Sequence, residues 1–196
     1  MKKQSEKFTG VGTVFISDVV NVAKVAGEHG PVELVGILKR HLTHVSDLVE
    51  RYGGNVVQFV GDAVLAFWHP KETDPSHAQL AFDASIQILS TLPELLRSQG
   101  SVTYDIDIAL GTGEMAGDIF GPGKRFQVVG KAMSIADRLS KAGPRRCSSI
   151  RMSQHTLALL RPVEGIRETG TIARDHLDDL TVFTYYSANQ ASDRTR

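Results

Sequence analysis

The chain has 196 residues, of which 41% are hydrophobic and 22% charged, and its 22 basic residues balance its 22 acidic ones. A domain of this length buries roughly 70% of its unfolded surface, and a neutral chain offers no basic field to nucleic acid or an anionic membrane. The single cysteine, Cys147, excludes an internal disulfide framework. No apolar run approaches the roughly 18 residues of a membrane span. We therefore expect a soluble, cytoplasmic protein that makes no direct contact with nucleic acid or membrane.

The first half of the chain predicts a strand, two helices and a hairpin. Residues 1–9 form a polar lead, and the apolar run from Gly10 to Ser17 predicts a strand that ends on Asp18, with a short helix directly after it. Apolar residues at three- and four-residue spacings predict a longer helix from Pro31 to about Tyr52. Two β-rich runs then flank Gly61-Asp62, a pair typical of a tight hairpin turn.

The second half is richer in strands. The pattern predicts a helix from His77 to about Leu96, where Pro93 can break it, and another from Lys131 to Lys141. Alternating or apolar runs predict strands over 103–111, 126–130, 148–152 and 181–186. Together these elements predict an α+β fold with one central sheet over residues 10–186, followed by a flexible tail at 187–196.

Four further polar residues are expected to face water. His41 and His44 lie three residues apart on the long helix without further metal ligands nearby, so a solvated helix face is the simpler interpretation. Asp105 and Asp107 alternate with apolar residues on a strand, which is typical of a strand with one face in solvent.

The chemistry of the chain depends on two acids far apart in sequence. Asp18 ends one predicted strand and Asp62 lies at the hairpin tip. Turn chemistry alone would explain a lone Gly-Asp pair, but two carboxylates held side by side repel each other unless a cation lies between them. Hard oxygen ligands favour Mg²⁺ or Mn²⁺, and two such ions suit in-line displacement at phosphorus.

Three segments in the same order resemble the catalytic domain of class III nucleotide cyclases. They are Phe15-Ile-Ser-Asp-Val-Val, then Tyr52-Gly-Gly-Asn-Val-Val-Gln-Phe-Val-Gly-Asp-Ala-Val-Leu-Ala-Phe-Trp, and Phe126-Gln-Val-Val-Gly-Lys-Ala-Met-Ser-Ile-Ala-Asp-Arg-Leu. The resemblance implies a ferredoxin-like cyclase fold, with helices packed on a central, mostly antiparallel sheet. It also implies conversion of a nucleoside triphosphate to a 3′,5′-cyclic nucleotide and pyrophosphate.

The resemblance assigns roles to individual residues. Asp18 and Asp62, with Val19 beside them, match the site that holds two Mg²⁺ or Mn²⁺ ions, and Arg138 matches the arginine that stabilises the transition state. In the family these groups come from opposite subunits of a head-to-tail dimer. The chain is therefore expected to form a homodimer with two equivalent sites at the interface.

Several residues depart from the family pattern. Gln58 replaces the lysine or glutamate that usually reads the base, and Gln127 replaces its aspartate or threonine partner. Ser134 stands where an asparagine usually orients the ribose. The residues expected to bind phosphate are Val20, Asn21 and Val22. At the third to fifth positions after Asp18 the chain has Asn21-Val22-Ala23, where the family tends to have Gly-Phe-Thr.

These departures leave three functions open. Because an amide offers both a donor and an acceptor, it can match uracil as readily as a purine, and the chain resembles bacterial pyrimidine cyclases of anti-phage signalling. Those enzymes make cyclic UMP or cyclic CMP, which activates a separate effector. An adenylate cyclase similar to the bicarbonate-responsive soluble cyclases is the first alternative. A non-catalytic regulatory cyclase domain is the second, although a chain that keeps Asp18, Asp62 and Arg138 favours catalysis.

Overall fold

The computed structural model describes residues 7–69, 76–98, 100, 102–143, 147–173 and 179–186. Most of the predicted polar lead and the whole predicted tail, 187–196, lie outside these residues. The strands are β1 (Phe8–Val20), β2 (Asn55–Val60), β3 (Ala63–Trp68), β4 (Asp105–Phe120), β5 (Arg125–Gly130), β6 (Ser149–Ser153), β7 (Ile166–Ile172) and β8 (Leu180–Tyr186). The helices are α1 (Val22–Glu28), α2 (Pro31–Arg51), α3 (His77–Ser98), α4 (Lys131–Ser140) and α5 (Gln154–Ala158).

A single eight-stranded sheet organises the described part of the chain. Its order is β2-β3-β1-β4-β6-β8-β7, and β5 pairs with β4 beside this path. The pairing of β4 with β6 is parallel, whereas the other pairs are antiparallel. The predicted α+β fold with a central, mostly antiparallel sheet is confirmed.

The two faces of the sheet are covered by different helices. Alternate side chains of β1 reach opposite faces. Phe15 and Val19 join a large apolar cluster with residues of α2 and α3, whereas Val14 joins a smaller cluster with Ala132 and Ala136 of α4. One face is therefore sealed by two long helices, and the short helix α4 covers part of the other.

Several element boundaries differ from the predicted ones. β1 continues two residues beyond Asp18, because it pairs with β4 through Val20. The helix predicted directly after Asp18 begins only at Val22. Pro93 does not end α3, which runs to Ser98. The strand predicted over 103–111 continues to Phe120 as β4, because β1 pairs with it over most of its length.

The prediction of a solvated face for His41 is wrong. His41 is fully buried between α2 and the sheet, where its ring meets the ring of Tyr104 edge-on with centroids 5.4 Å apart. Burial, with a smaller effect from the charge of His44, lowers the pKa of His41 to about 4. His44 is half-buried and its Nε2 lies 2.8 Å from Thr91 Oγ1, so both rings belong to the packing of α2 rather than to its surface.

Helix α4 rests directly on the backbone of β4. A Cβ atom built at Gly111 would lie 2.4 Å from the Ala136 nitrogen and 2.5 Å from the Ala132 oxygen. Because backbone atoms cannot move aside as a flexible side chain can, only glycine allows this approach. Gly111 therefore sets the distance between α4 and the sheet, and this distance sets the positions of the side chains on α4.

We expect Gly111→Ala to destabilise the domain, because the added methyl group must push α4 away from β4. Overpacking of this kind costs about 1–3 kcal/mol and lowers Tm by about 2–4 °C for each kcal/mol. Thermal unfolding followed by circular dichroism measures the change.

Gly36→Ala is the matched control for this substitution. Gly36 lies inside α2, and a Cβ atom there would come no closer than 3.6 Å to Arg40 Nη1. Alanine at this site should raise stability by roughly 0.5–1 kcal/mol. A Gly111→Ala protein as stable as wild type would show that α4 does not depend on this contact.

Candidate active site

The β1–β3 pairing brings Asp18 and Asp62 together. Ser17 is the partner of Val64 in this antiparallel register, so the hairpin tip, where Gly61 has a φ of 64°, lies beside the end of β1. The Val19 N–H donates to Asp62 Oδ2 over 2.9 Å. The Asp62 carboxyl group is also within hydrogen-bonding reach of the Asp18 side chain. Two acids separated by more than forty residues of sequence therefore share one small volume.

The electrostatics of this pair are unfavourable in the absence of a cation. Burial raises the pKa of Asp62 from 3.8 to about 6, and both the hydrogen bond with Asp18 and the Asp18 charge act in the same direction. Donation from the Val19 N–H lowers the pKa but does not cancel these effects. The fold therefore holds the two carboxyl groups closer than two ionised acids prefer.

A divalent cation fits this donor set. Burial is the largest cause of the raised pKa of Asp62, and the Asp18 charge adds to it, so a cation beside the pair would favour the ionised carboxyl groups. Carboxylate oxygens are the ligands that Mg²⁺ and Mn²⁺ prefer. Among the residues that the structure describes, no group of three or more His, Cys, Asp or Glu side chains could enclose a metal ion. Any ion held by Asp18 and Asp62 would therefore complete its coordination with backbone oxygens, water or substrate.

The stretch predicted to bind phosphates connects β1 to α1 through a residue with left-handed backbone conformation. Val20 is buried at the end of β1, and Asn21 follows in the left-handed region with a φ of 57°. Asn21 is exposed, and its carbonyl accepts from the Lys24 N–H over 2.8 Å at the start of α1, which begins with Val22. The stretch thus lies next to the acid pair, and its role toward phosphate stays a prediction.

Arg138 and Ser134 lie one turn apart on α4. A four-residue spacing places both side chains on one side of the helix, away from the buried Ala132, Ala136 and Leu139. Arg138 is half-buried, and its Nη2 donates to the Ile172 carbonyl at the end of β7 over 3.0 Å. This bond aims the guanidinium group toward the far edge of the sheet.

The predicted base-reading residues are solvent-accessible. Gln58 lies on β2 opposite Leu65, and Gln127 lies on β5 opposite Asp118, and both glutamines are exposed. Strand β2 contacts β5, so the two amides lie on neighbouring segments. Their roles toward a base stay predictions.

Asp62 and the hydrogen-bond partner of Arg138 lie at opposite edges of the sheet. Asp62 joins β2 to β3 near one edge, and Ile172, which accepts from Arg138, ends β7 at the other edge. Arg138 itself lies on α4, which packs over β4 and β1. Its hydrogen bond thus directs the guanidinium group toward β7 rather than toward the β2–β3 turn.

Sequence reasoning missed a second charged cluster beside the acid pair, and the prediction that Asp107 faces water is wrong. Asp107 is 4% exposed because β4 is a central strand, paired on both sides. Its Oδ2 lies 2.8 Å from Arg151 Nη1, and its Oδ1 accepts from Ser149 Oγ over 2.6 Å. Asp105 likewise accepts from Ser148. In the sequence, polar Ser149 and Arg151 alternate with apolar residues just as Asp105 and Asp107 do. This shared pattern was the available signal that the two strands carry paired polar side chains.

A mostly antiparallel sheet with a close pair of acids beside the β2–β3 turn is the arrangement expected of a nucleotide cyclase domain. The family model for the adenylate and guanylate cyclase catalytic domain matches residues 3–182. The chain therefore belongs to this family, the class III nucleotide cyclases. No helix in the described ranges has the length and hydropathy to span a membrane.

Individual relatives agree with this assignment. Adenylate cyclase 1 of Rhizobium meliloti (strain 1021) is 23% identical over 81% of this chain, and retinal guanylyl cyclase 2 of Rattus norvegicus is 28% identical over 76% of it. The chain spans only 25% and 14% of those two proteins. The crystal structure of the adenylyl cyclase CyaB from P. aeruginosa superposes with a TM-score of 0.79 at 26% identity, over 95% of this chain and 98% of that one.

The raised pKa of Asp62 predicts how stability depends on pH. Between about pH 4 and pH 6 the folded state keeps a proton that the unfolded state has lost, so the free energy of unfolding falls as the pH rises through this window. Asp62→Asn removes the ionisation. In a chelator, the variant should unfold at a higher temperature than wild type at about pH 7.5, and the difference should vanish near about pH 4.

Addition of Mn²⁺ provides the control for this measurement. The ion should stabilise wild type at about pH 7.5 and leave Asp62→Asn unchanged, because a cation that binds only the folded acid pair shifts the unfolding equilibrium. An Asp62→Asn protein that is less stable than wild type in chelator would show that the two carboxyl groups do not repel each other.

Proposed function

We propose that the protein converts a nucleoside triphosphate to a 3′,5′-cyclic nucleotide and pyrophosphate at a homodimer interface. The observation that carries this proposal is the Asp62 carboxylate held against the Val19 N–H beside Asp18. Family membership supports the same reaction. The ribose 3′-oxygen loses its proton and bonds to the α-phosphorus, and the bond from that phosphorus to the bridging oxygen breaks to release pyrophosphate.

In this reaction Asp18 and Asp62 would hold two Mg²⁺ or Mn²⁺ ions. Such ions lower the pKa of a bound hydroxyl and screen the charge that builds on phosphate. The chain contributes rigidity: β1 and β3 fix the spacing of the two carboxyl groups, and the Val19 N–H fixes the rotation of Asp62. Val19 and the phosphate-binding stretch through Val22 would flank the triphosphate.

Arg138 would stabilise the transition state from the second copy of the chain. Its bond to the Ile172 carbonyl orients a planar group that can reach more than one phosphate oxygen, which an ammonium group cannot do as well. Ser134, one turn earlier on the same side of α4, would orient the ribose through its hydroxyl group. The hydrogen bond that directs Arg138 toward β7, rather than toward the β2–β3 turn, supports a site shared by two chains.

The base is proposed to be a pyrimidine, with UTP or CTP as substrate. Gln58 and Gln127 are neutral and exposed, and each amide can donate to one atom of a base edge and accept from another. An ATP-reading lysine is missing from the chain at residue 58. Production of cyclic UMP or cyclic CMP as a messenger for a separate effector in anti-phage defence follows from the resemblance to bacterial pyrimidine cyclases.

Adenylate cyclase activity is the second candidate. It is favoured by the names of similar proteins, since the Rhizobium meliloti relative and the P. aeruginosa structure are both described as adenylate or adenylyl cyclases. The same fold also carries guanylyl cyclases, such as the Rattus norvegicus relative. Base choice therefore depends on few side chains, and the two glutamines are the ones to test.

We expect purified protein with Mn²⁺ to form a cyclic product most rapidly from UTP or CTP when the four nucleoside triphosphates are compared by mass spectrometry. The combined change Gln58→Lys and Gln127→Asp should shift preference toward ATP by roughly 10-fold to 100-fold, because hydrogen bonds to a base are lost when donors and acceptors no longer match.

Gln154→Lys adds the same positive charge as Gln58→Lys, at an exposed position of α5, and should leave the preference unchanged. Product from ATP alone would replace the pyrimidine proposal by the adenylate one. A protein that is folded but forms no product from any of the four triphosphates would be a regulatory domain.

Mixing two inactive variants tests the shared site. Asp62→Asn and Arg138→Lys should each lower activity by at least about 100-fold. In an equimolar mixture, half of the dimers contain one chain of each kind, and each of those dimers has one intact site, so activity should recover to about a quarter of wild type.

A mixture of Asp18→Asn with Asp62→Asn is the matched control. Both substitutions damage the same half of the site, so no combination of the two chains restores it, and activity should stay at the level of the single variants. Equal recovery in both mixtures, or none in either, would contradict a site built from opposite chains.

A further inference from the structure

The buried ion pair of Asp107 and Arg151 lies next to the acid pair. The side chains of Arg151 and Asp107 are only 8% and 3% exposed, and Arg151 Nη1 lies 2.8 Å from Asp107 Oδ2. Ser149 Oγ donates to the other carboxylate oxygen over 2.6 Å. Asp107 therefore has a hydrogen bond at one carboxylate oxygen and an ion-pair contact at the other, both with side chains of β6.

Asp107 shares a face of the sheet with Asp18. The β1–β4 register places Asp18 directly opposite Asp107, just as it places Ile16 opposite Ala109. Ile16 and Ala109 pack in one cluster under α4, which identifies the face to which both pairs belong. Directly opposed residues have Cβ atoms about 4.5–5.5 Å apart. The register therefore places a third carboxylate residue beside Asp18, although among the described residues no three acidic side chains are arranged to hold a metal ion.

We propose that Arg151 is a positioning residue that keeps Asp107 out of the metal site and balances its charge. The inference rests on the proposed metal site at Asp18 and Asp62. Arg151 and Ser149 turn the Asp107 oxygens toward β6, so that a cation at the acid pair meets two carboxylates rather than three. The guanidinium also cancels the field that a lone Asp107 would impose on Asp18.

If the ion pair balances charge, substitutions of its two members change metal affinity in opposite directions, which a purely structural role does not predict. Without Asp107, the buried Arg151 cation would stand alone beside Asp18 and repel a divalent ion. Without Arg151, an uncompensated or newly available Asp107 carboxylate would attract the ion. Two substitutions in one ion pair should therefore move metal affinity in opposite directions, whereas a purely structural pair would weaken binding in both cases.

The experiment measures binding of Mn²⁺ alone to the full chain by electron paramagnetic resonance, with no nucleotide and no turnover. Asp107→Asn should raise the Kd for Mn²⁺ by about 10-fold or more, and Arg151→Met should lower it by a similar factor. Arg151→Lys keeps the positive charge and should stay within about 3-fold of wild type. Shifts of both single variants in the same direction, or no shift in either, would overturn the proposal.

A double variant keeps the test decisive if a single variant fails to fold. Removing one member of a buried ion pair leaves the other charge buried and uncompensated, whereas replacing both by neutral groups is often tolerated. Asp107→Asn combined with Arg151→Met should fold and should bind Mn²⁺ within about 3-fold of wild type, because the net charge beside Asp18 is unchanged. A folded double variant that shifts Mn²⁺ affinity by about 10-fold or more would contradict the charge balance.

Asp62→Asn separates failure of this inference from failure of the proposed metal site. If that variant binds Mn²⁺ as wild type does, the acid pair is not the metal site and the proposed function loses its basis. If Asp62→Asn loses Mn²⁺ while the Asp107 and Arg151 variants bind it unchanged, the metal site stands and only the role of Arg151 is wrong.

Discussion

The close approach of Asp18 and Asp62 is the constraint on which the other features of the site depend. The strands β1 and β3 are paired by backbone hydrogen bonds, so their register fixes where the hairpin tip lies. The Val19 N–H then fixes one Asp62 oxygen at 2.9 Å. Burial, together with the hydrogen bond and the charge of Asp18, raises the pKa of Asp62 to about 6. A cation bound between the two carboxyl groups would offset this cost of ionisation.

Helix α4 and the strands beneath it impose a second constraint. Gly111 lets the helix lie against β4, and Arg138 is oriented from above by α4 and from the side by the Ile172 carbonyl. The acid pair lies at the end of β1, which pairs with β4, and at the β2–β3 turn. The same central strand, β4, supports α4 at Gly111 and carries Asp107 beside Asp18. The positions of these groups are therefore set by one rigid element rather than by loops.

Much of the fold was accessible from the sequence, because the strongest signals were local. The spacing of apolar residues in α2 and the Gly61-Asp62 turn predicted elements that the structure contains. The misses concern long-range pairing. Asp107 and His41 looked solvent-facing by alternation or by polarity, yet pairing of β4 on both sides and packing of α2 bury them. Nothing in the local pattern identified β7, which pairs with β8.

For the candidate site, motif order identified Asp18 and Asp62, and the structure brings their side chains together. Motif order could not reveal the neighbouring Asp107–Arg151 pair, because Arg151 is recruited from β6 through the β4–β6 register. Base choice also stays outside what a fold can specify, since Gln58 and Gln127 are surface side chains on a scaffold shared by adenylate and guanylyl cyclases.

The proposed sharing of each site between two chains, with Arg138 directed toward Ile172, determines how product formation depends on protein concentration. A chain that holds only half of each proposed site produces nothing alone. At abundances below the dimer dissociation constant, output would grow with the square of the number of chains, so a modest change in expression becomes a large change in messenger. Dilution would then stop formation of the cyclic nucleotide by dissociating the dimer, without any inhibitor.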